Sequence, residues 1–124
     1  MANPETIKKY SADGAVGQFL IVAPGSAEGQ VKVAAAVTDK LVGVSSFLGA
    51  DDGAPCDVIH DGIADTLCGG DVAAGEPLTS DDTGKAVTLA PAPGVNNRRV
   101  GFALAAGGAG DVIPVLVKVG AVQG

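Results

Sequence analysis

The last long stretch of the chain, residues 99–122, shows the clearest pattern of hydrophobic and polar positions. Val100, Phe102 and Leu104 alternate with small residues, the period of two that is typical of a half-buried β-strand. A glycine-rich turn follows, and residues 112–119 return as a run rich in β-branched side chains. Because Pro114 lacks a backbone N–H, we expect this second strand to lie at a sheet edge or to carry a bulge.

Short segments of similar character occur along the rest of the chain, separated by turns rich in glycine, proline and aspartate. The predicted strands are residues 16–23, 30–38, 41–48, 54–60, 63–68 and 86–90. Asp61-Gly62 favours a type I′ hairpin turn between two of them, with a bulge inside one longer strand as the alternative. Glycine interrupts nearly every stretch, and no long helical periodicity is present. We therefore predict an all-β fold, a small β-barrel or β-sandwich of short strands with glycine-rich turns.

The beginning of the chain differs from the remainder, and we predict an extended N-terminal arm over residues 1–15 and a single β domain over residues 16–124. Pro4 disfavours a helix before it, and residues 11–14 are typical of a turn. The arm is either a frayed terminus or a segment that orders on a partner by adding a strand to its sheet. The candidate contact residues of this arm are Ile7, Lys8, Lys9 and Tyr10.

Two segments of the chain resemble each other. Residues 42–48 lead through a glycine turn into Asp57-Val58-Ile59, and residues 100–104 lead through a glycine turn into Asp111-Val112-Ile113. The likeness indicates either an internal duplication or the pattern that any two β-hairpins share. No third copy extends the period, so the sequence favours the pattern shared by any two hairpins over a duplication.

The composition predicts a core with little bulk. The 124 residues suit one domain, but they include 19 Gly, three Phe, one Tyr, one Met and no Trp. Small side chains bury less apolar area, at roughly 25 cal/mol per Å², and glycine raises the entropic cost of folding. We therefore hypothesise that contacts between subunits contribute part of the stability.

Charge and hydropathy argue against several classes of partner. The net charge of −6 disfavours generic binding to nucleic acid or to an anionic membrane. No apolar run approaches the length of a transmembrane helix, and residues 1–14 lack the apolar segment of a signal peptide. We expect the protein to stay in the cytoplasm of the cell that makes it. Cys56 and Cys68 lack a CxxC or metal-ligand pattern, so buried free thiols are favoured over a disulfide.

The sequence contains no convincing catalytic or metal-binding constellation. His60 lies near several aspartates and could serve as a base or a ligand, but a solvent-facing or turn histidine is the better interpretation. On a straight strand Cys56 and His60 would lie about 13 Å apart, too far for a catalytic pair or a shared metal. Phosphate-loop, GxSxG and HExxH motifs are absent from the sequence. We predict no enzymatic activity, no cofactor and no metal.

An ordered set of weakly specific motifs covers almost the whole chain. They are residues 10–16, 37–39 with 41–44, 57–59 with 62–64, 70–81, 83–86, 100–104 and 110–115. In this order they resemble the capsid cement, or head decoration, family of tailed bacteriophages and prophages.

The resemblance implies a structural protein that binds the outer surface of an assembled phage head and stabilises it. It further implies the major capsid protein as partner, a homo-oligomer with a trimer favoured, and a place on the virion exterior. Many weak contacts repeated by symmetry would suit such a role. The alternative function is a small β-barrel module that carries a ligand or cofactor.

Overall fold

Nine β-strands form within the residues that the computed structural model describes, which are 6–35, 40–46, 49–89 and 96–123. They are β1 Thr6–Ala12, β2 Ile21–Pro24, β3 Gln30–Val33, β4 Gly43–Ser45, β5 Pro55–Leu67, β6 Pro77–Ser80, β7 Ala86–Thr88, β8 Asn96–Ala103 and β9 Val112–Gln123. These ranges contain no helix long and apolar enough to cross a membrane. The all-β prediction is confirmed.

The first five strands close into a barrel. Their order is β1-β3-β2-β4-β5, and β5 pairs back onto β1 in antiparallel register. Alternate residues point inward, so Val22, Val31 and Val58 are completely buried and fill the barrel together with Cys56. The predicted small β-barrel is therefore present in residues 6–60, which we call the first unit.

Residues 62–117, the second unit, repeat the strand pairing of the first. β6 pairs with β7 and β8, and β8 pairs with β9, just as β2 pairs with β3 and β4, and β4 with β5. The second half of β5 takes the place of β1, because it pairs with β9 as β1 pairs with the first half of β5. A parallel bridge between Cys68 and Ala86 corresponds to the parallel pair Ala12 and Val31.

The register of the two units agrees residue by residue. Val44 lies opposite Ile59, and the equivalent Phe102 lies opposite Leu116. The loops agree as well, because the bridge between Val16 and Ala50 recurs between Val72 and Gly107. The structure therefore favours an internal repeat over the shared hairpin pattern that the sequence favoured.

Only part of the sequence likeness follows this structural repeat. Val42-Gly43 and Val100-Gly101 occupy equivalent positions, since Gly43 pairs with Val22 and Gly101 with Leu78. Asp57 and Asp111 do not occupy equivalent positions. Asp57 lies opposite Lys9 in the first unit, and the residue at the equivalent position of the second unit is Pro114, which lies opposite Asp65. The shared Asp-Val-Ile tripeptide is thus not part of the repeat.

The predicted hairpin at Asp61-Gly62 is wrong, and the bulge alternative is confirmed. β5 runs through the dipeptide as one 13-residue strand. Its pairing with β1 skips His60 between the pairs Ile7–Ile59 and Thr6–Asp61, and Gly62 follows with a φ of 103°. The strand continues because its first half completes the first unit and its second half begins the second.

The expectation that Pro114 marks an edge strand or a bulge is also wrong. β9 lies between β5 and β8, and Pro114 sits in regular register opposite Asp65. The carbonyl of Pro114 accepts from the N–H of Leu104, just beyond the end of β8. Because the N–H and C=O of one residue point to the same side of a strand, the missing N–H faces a position where β8 has ended.

Several predicted strands are shorter than expected. Of residues 16–23, only the last three are in β2, because residues 17–20 make a turn in which Phe19 has a φ of 60°. β3 and β4 are likewise shorter than predicted. The predictions at residues 36–39, 47–48 and 90 lie outside the described residues.

The predicted arm overlaps a strand of the fold. Residues 6–12 form β1, which is hydrogen-bonded to β5 along its length and to β3 at Ser11 and Ala12. This part of the segment thus belongs to the first unit's own sheet. Residues 1–5 lie outside the described residues.

Candidate functional site

The candidate contact residues of the predicted arm lie on β1. Lys9 is exposed and faces Asp57 across the sheet. Tyr10 packs against the core of the first unit, and its hydroxyl is hydrogen-bonded to His60 Nε2 with the ring centroids 5.5 Å apart. Partial burial raises the pKa of Tyr10. The backbones of Ile7 and Lys8 pair with Ile59 and Val58, and a contact role for these four residues stays a prediction.

The residues considered for chemistry do not assemble into a reactive site. Cys56 and Cys68 are both free and buried, as predicted, and burial raises the pKa of each thiol. His60 lies at the bulge of β5, half-buried beside Tyr10 rather than open to solvent. Among the described residues, no group of three or more histidine, cysteine, aspartate or glutamate side chains could hold a metal ion.

An exposed apolar surface lies on the outer side of the second unit. Positions on β5 and β9 alternate between buried and open, so Ala64, Thr66, Ile113 and Val115 point inward. The apolar side chains at most of the intervening positions, with Phe102 on β8 and Leu104 just beyond it, form what we call the apolar face: Ile63, Leu67, Phe102, Leu104, Val112 and Leu116.

Strand register places these side chains side by side. Ile63, Leu116 and Phe102 form one row across three strands, and Leu67 lies opposite Val112 in a second row. Ile63, Val112 and Leu104 expose 48%, 46% and 45% of their surface. Large apolar side chains that cluster at such exposure mark interaction surfaces more often than scattered ones do.

Charged groups lie around this face, and one, Asp65, lies within it. The Arg99 guanidinium stacks over the Phe102 ring at 4.9 Å, and its Nε donates to the carbonyl of Lys118. Lys118 forms an exposed ion pair with Asp61 at 3.7 Å. Asp65 is exposed between Ile63 and Leu67 on β5.

The apolar face was not identified from the sequence. Its signal was present in residues 112–119, where Val112 and Leu116 have the opposite parity to Ile113, Val115 and Val117. A run that is apolar on both faces is typical of a fully buried strand, so the pattern alone does not distinguish a covered face from an open one.

Comparison with known proteins gives a consistent result. A family model described as phage cement protein matches residues 9–119. Among solved structures, the N base of the head fiber gp8.5 of bacteriophage phi29 has a similar fold, with a TM-score of 0.67 and 18% sequence identity. That alignment covers 92% of this chain and 94% of the phage phi29 chain. A search of curated proteins gives no match.

Proposed function

The chain belongs to the phage cement protein family, and from this membership we propose that it binds the outer surface of an assembled phage head and stabilises the shell. The observation that carries the proposal is the match of the family model to residues 9–119, nearly the full chain. The partner is then the major capsid protein of a tailed phage, and the place of action is the virion exterior.

The two-unit body supports a structural role. Its interior is filled by fully buried side chains such as Val22, Val58, Leu78 and Val115. A stable body of this kind suits many weak contacts repeated by symmetry over a shell. The alternative, a ligand-carrying barrel, is not favoured because side chains occupy the interior of the first unit. The role requires no catalysis.

The contact with the shell is proposed to involve β1, through Ile7, Lys8, Lys9 and Tyr10. β1 pairs with β5 along one edge, and on its other edge only Ser11 and Ala12 pair with β3. The edge of residues 6–10 that faces away from β5 therefore has no partner strand among the described residues. A strand edge of this kind can accept a strand of another protein. The proposal further includes synthesis in the host cytoplasm and assembly as a homo-oligomer, with a trimer favoured.

Co-sedimentation with expanded phage heads tests the proposed function. The protein is mixed with heads that lack it, pelleted, and quantified in pellet and supernatant, and the thermal stability of the heads is measured with and without it. We expect saturable binding and heads that open at higher temperature. Absence of binding at every concentration would contradict the proposal.

A pair of charge reversals tests the contact at β1. Lys9→Glu should weaken binding to heads by roughly tenfold, because one contact near the shell becomes repulsive. Lys40→Glu is the matched control, since Lys40 is exposed in the same unit but lies outside β1. Equal binding of the two variants would contradict a shell contact through β1 and would leave the proposed function intact.

A further inference from the structure

We propose that the apolar face of the second unit binds a second copy of this chain in solution. The inference rests on the proposed function, since it assigns a surface to the proposed homo-oligomer. It concerns Ile63, Leu67, Phe102, Leu104, Val112 and Leu116, none of which belongs to the proposed shell contact.

The internal repeat shows that the fold does not require large apolar side chains at the outer end of this face. The positions equivalent to Leu67, Val112 and Leu104 in the first unit hold Ser11, Pro55 and Ser46. The same strand geometry is therefore built in the first unit with two serines and a proline, and without large apolar side chains. Apolar side chains there in the second unit need another explanation, and an interface supplies one.

The repeat also shows what covers this kind of surface. Val44 and Ile59 are the first-unit equivalents of Phe102 and Leu116. Val44 is completely buried, and Ile59 packs against the same core cluster, which contains Val100 and Val117 of the second unit. In the first unit, this row is thus covered by a unit of the same fold.

By this argument, the partner that fits the exposed row of Ile63, Leu116 and Phe102 is another unit of the same fold. A second copy of the chain provides such a unit. Electrostatics agrees with this choice. Each copy carries a net charge of −6, so two copies repel one another at charged surfaces. The apolar face carries one charged side chain, Asp65, which lies opposite Pro114 between its two rows, and a largely apolar core is typical of interfaces between identical subunits.

Sedimentation velocity of the full chain over roughly a hundredfold range of concentration tests the proposal. The test variant combines Leu104→Ser and Val112→Ser. Pro55→Ser, at the position of the repeat equivalent to Val112, is the control. We expect an oligomer for the natural chain and for the control, with the same dissociation constant in both. The test variant should show a dissociation constant raised by roughly a hundredfold.

Folding and head binding are measured on the same samples. Circular dichroism establishes that the test variant is folded, and co-sedimentation establishes whether it binds heads. A folded test variant that remains oligomeric, or a natural chain that is monomeric throughout, would overturn the proposal. A monomeric natural chain whose head binding is lost in the test variant would show that the face contacts the shell instead, which overturns self-association and leaves the proposed function intact.

A measurement on the natural chain keeps the proposal testable if the variant does not fold. Hydroxyl-radical footprinting at low and high concentration reports the exposure of individual side chains. Leu104 and Val112 should become protected as concentration rises, whereas Pro55 should not. Equal oxidation of Leu104 at both concentrations would overturn the proposal.

Discussion

At the scale of single residues, two glycines allow neighbouring strands to approach closely. A Cβ on Gly43 would collide with the carbonyl oxygen of Ile59, and a Cβ on Gly101 would collide with that of Leu116. The two glycines are equivalent in the repeat, so each unit has the same constraint at the same place. Because the colliding atoms belong to the backbone, they cannot move aside without disturbing the sheet.

Gly43→Ala and Gly101→Ala should each therefore destabilise the protein by about 3 kcal/mol. Urea unfolding followed by circular dichroism measures the change. Gly70→Ala is the control, since its Cβ would make an ordinary contact 3.7 Å from Val87 Cγ1 and should change stability by less than about 0.5 kcal/mol. Equal effects at Gly70 and Gly101 would contradict this account of the close approach.

The two cysteines should be unreactive in the folded protein. Cys56 and Cys68 are fully buried, and burial raises the pKa of both thiols, so the nucleophilic thiolate is disfavoured in the native state. The stability gained from keeping them neutral is present below the ordinary thiol pKa of about 8.5 and is lost as pH rises through the raised values. We expect iodoacetamide at pH 8 to label neither thiol until urea is added, as read by intact mass. Rapid labelling of the native protein would contradict this.

At the scale of elements, β5 is the strand that joins the two units. Its first half pairs with β1 and β4, and its second half pairs with β9. The pairing partner of β5 changes at Gly62, whose φ of 103° is one that residues with a Cβ rarely adopt. The backbone conformation of this one residue therefore connects the two units within a single strand.

Gly62→Ala should consequently cost about 1 to 2 kcal/mol of stability. Thermal unfolding measures the loss. Asp61→Asn is the neighbouring control: it keeps an oxygen that can accept from the Gly62 N–H and removes the exposed ion pair with Lys118. Such pairs contribute at most about 1 kcal/mol, so the control should remain close to the natural chain. A larger loss in Asp61→Asn than in Gly62→Ala would contradict the assigned role of the glycine.

The elements also show what the sequence could and could not predict. Alternation identified the strands and the all-β class, because a period of two follows directly from strand geometry. The hairpin at Asp61-Gly62 and the edge at Pro114 were mispredicted for one reason. Both inferences assumed that one or two residues decide where a strand turns or whether it lies at a sheet edge. The strands that pair with β5 and β9 decide this instead. The apolar face was missed because the parity of one strand does not show whether a neighbouring element covers each of its two faces.

At the scale of the whole molecule, the larger of the two core clusters is shared by both units. The larger core cluster joins Ile21 and Val44 of the first unit to Val100, Val115 and Val117 of the second. Backbone hydrogen bonds cross the same boundary, including one from the Ile21 N–H to the Gly84 carbonyl at 2.7 Å. Separating the units would break β5 and expose Val44, so neither half should unfold while the other remains intact.

Unfolding should therefore be a single cooperative transition, and the chain carries a probe that can test this. Tyr10, the single tyrosine, lies in the first unit, so tyrosine fluorescence reports that unit and far-UV circular dichroism reports both. Val115→Ala, which truncates a fully buried side chain in the second unit, should cost about 2 kcal/mol and shift both signals to the same lower urea midpoint. Val119→Ala, at an exposed position, is the control and should shift neither. If Val115→Ala moved the dichroism transition and left the tyrosine midpoint in place, the units would be independent, and the shared core could not couple them.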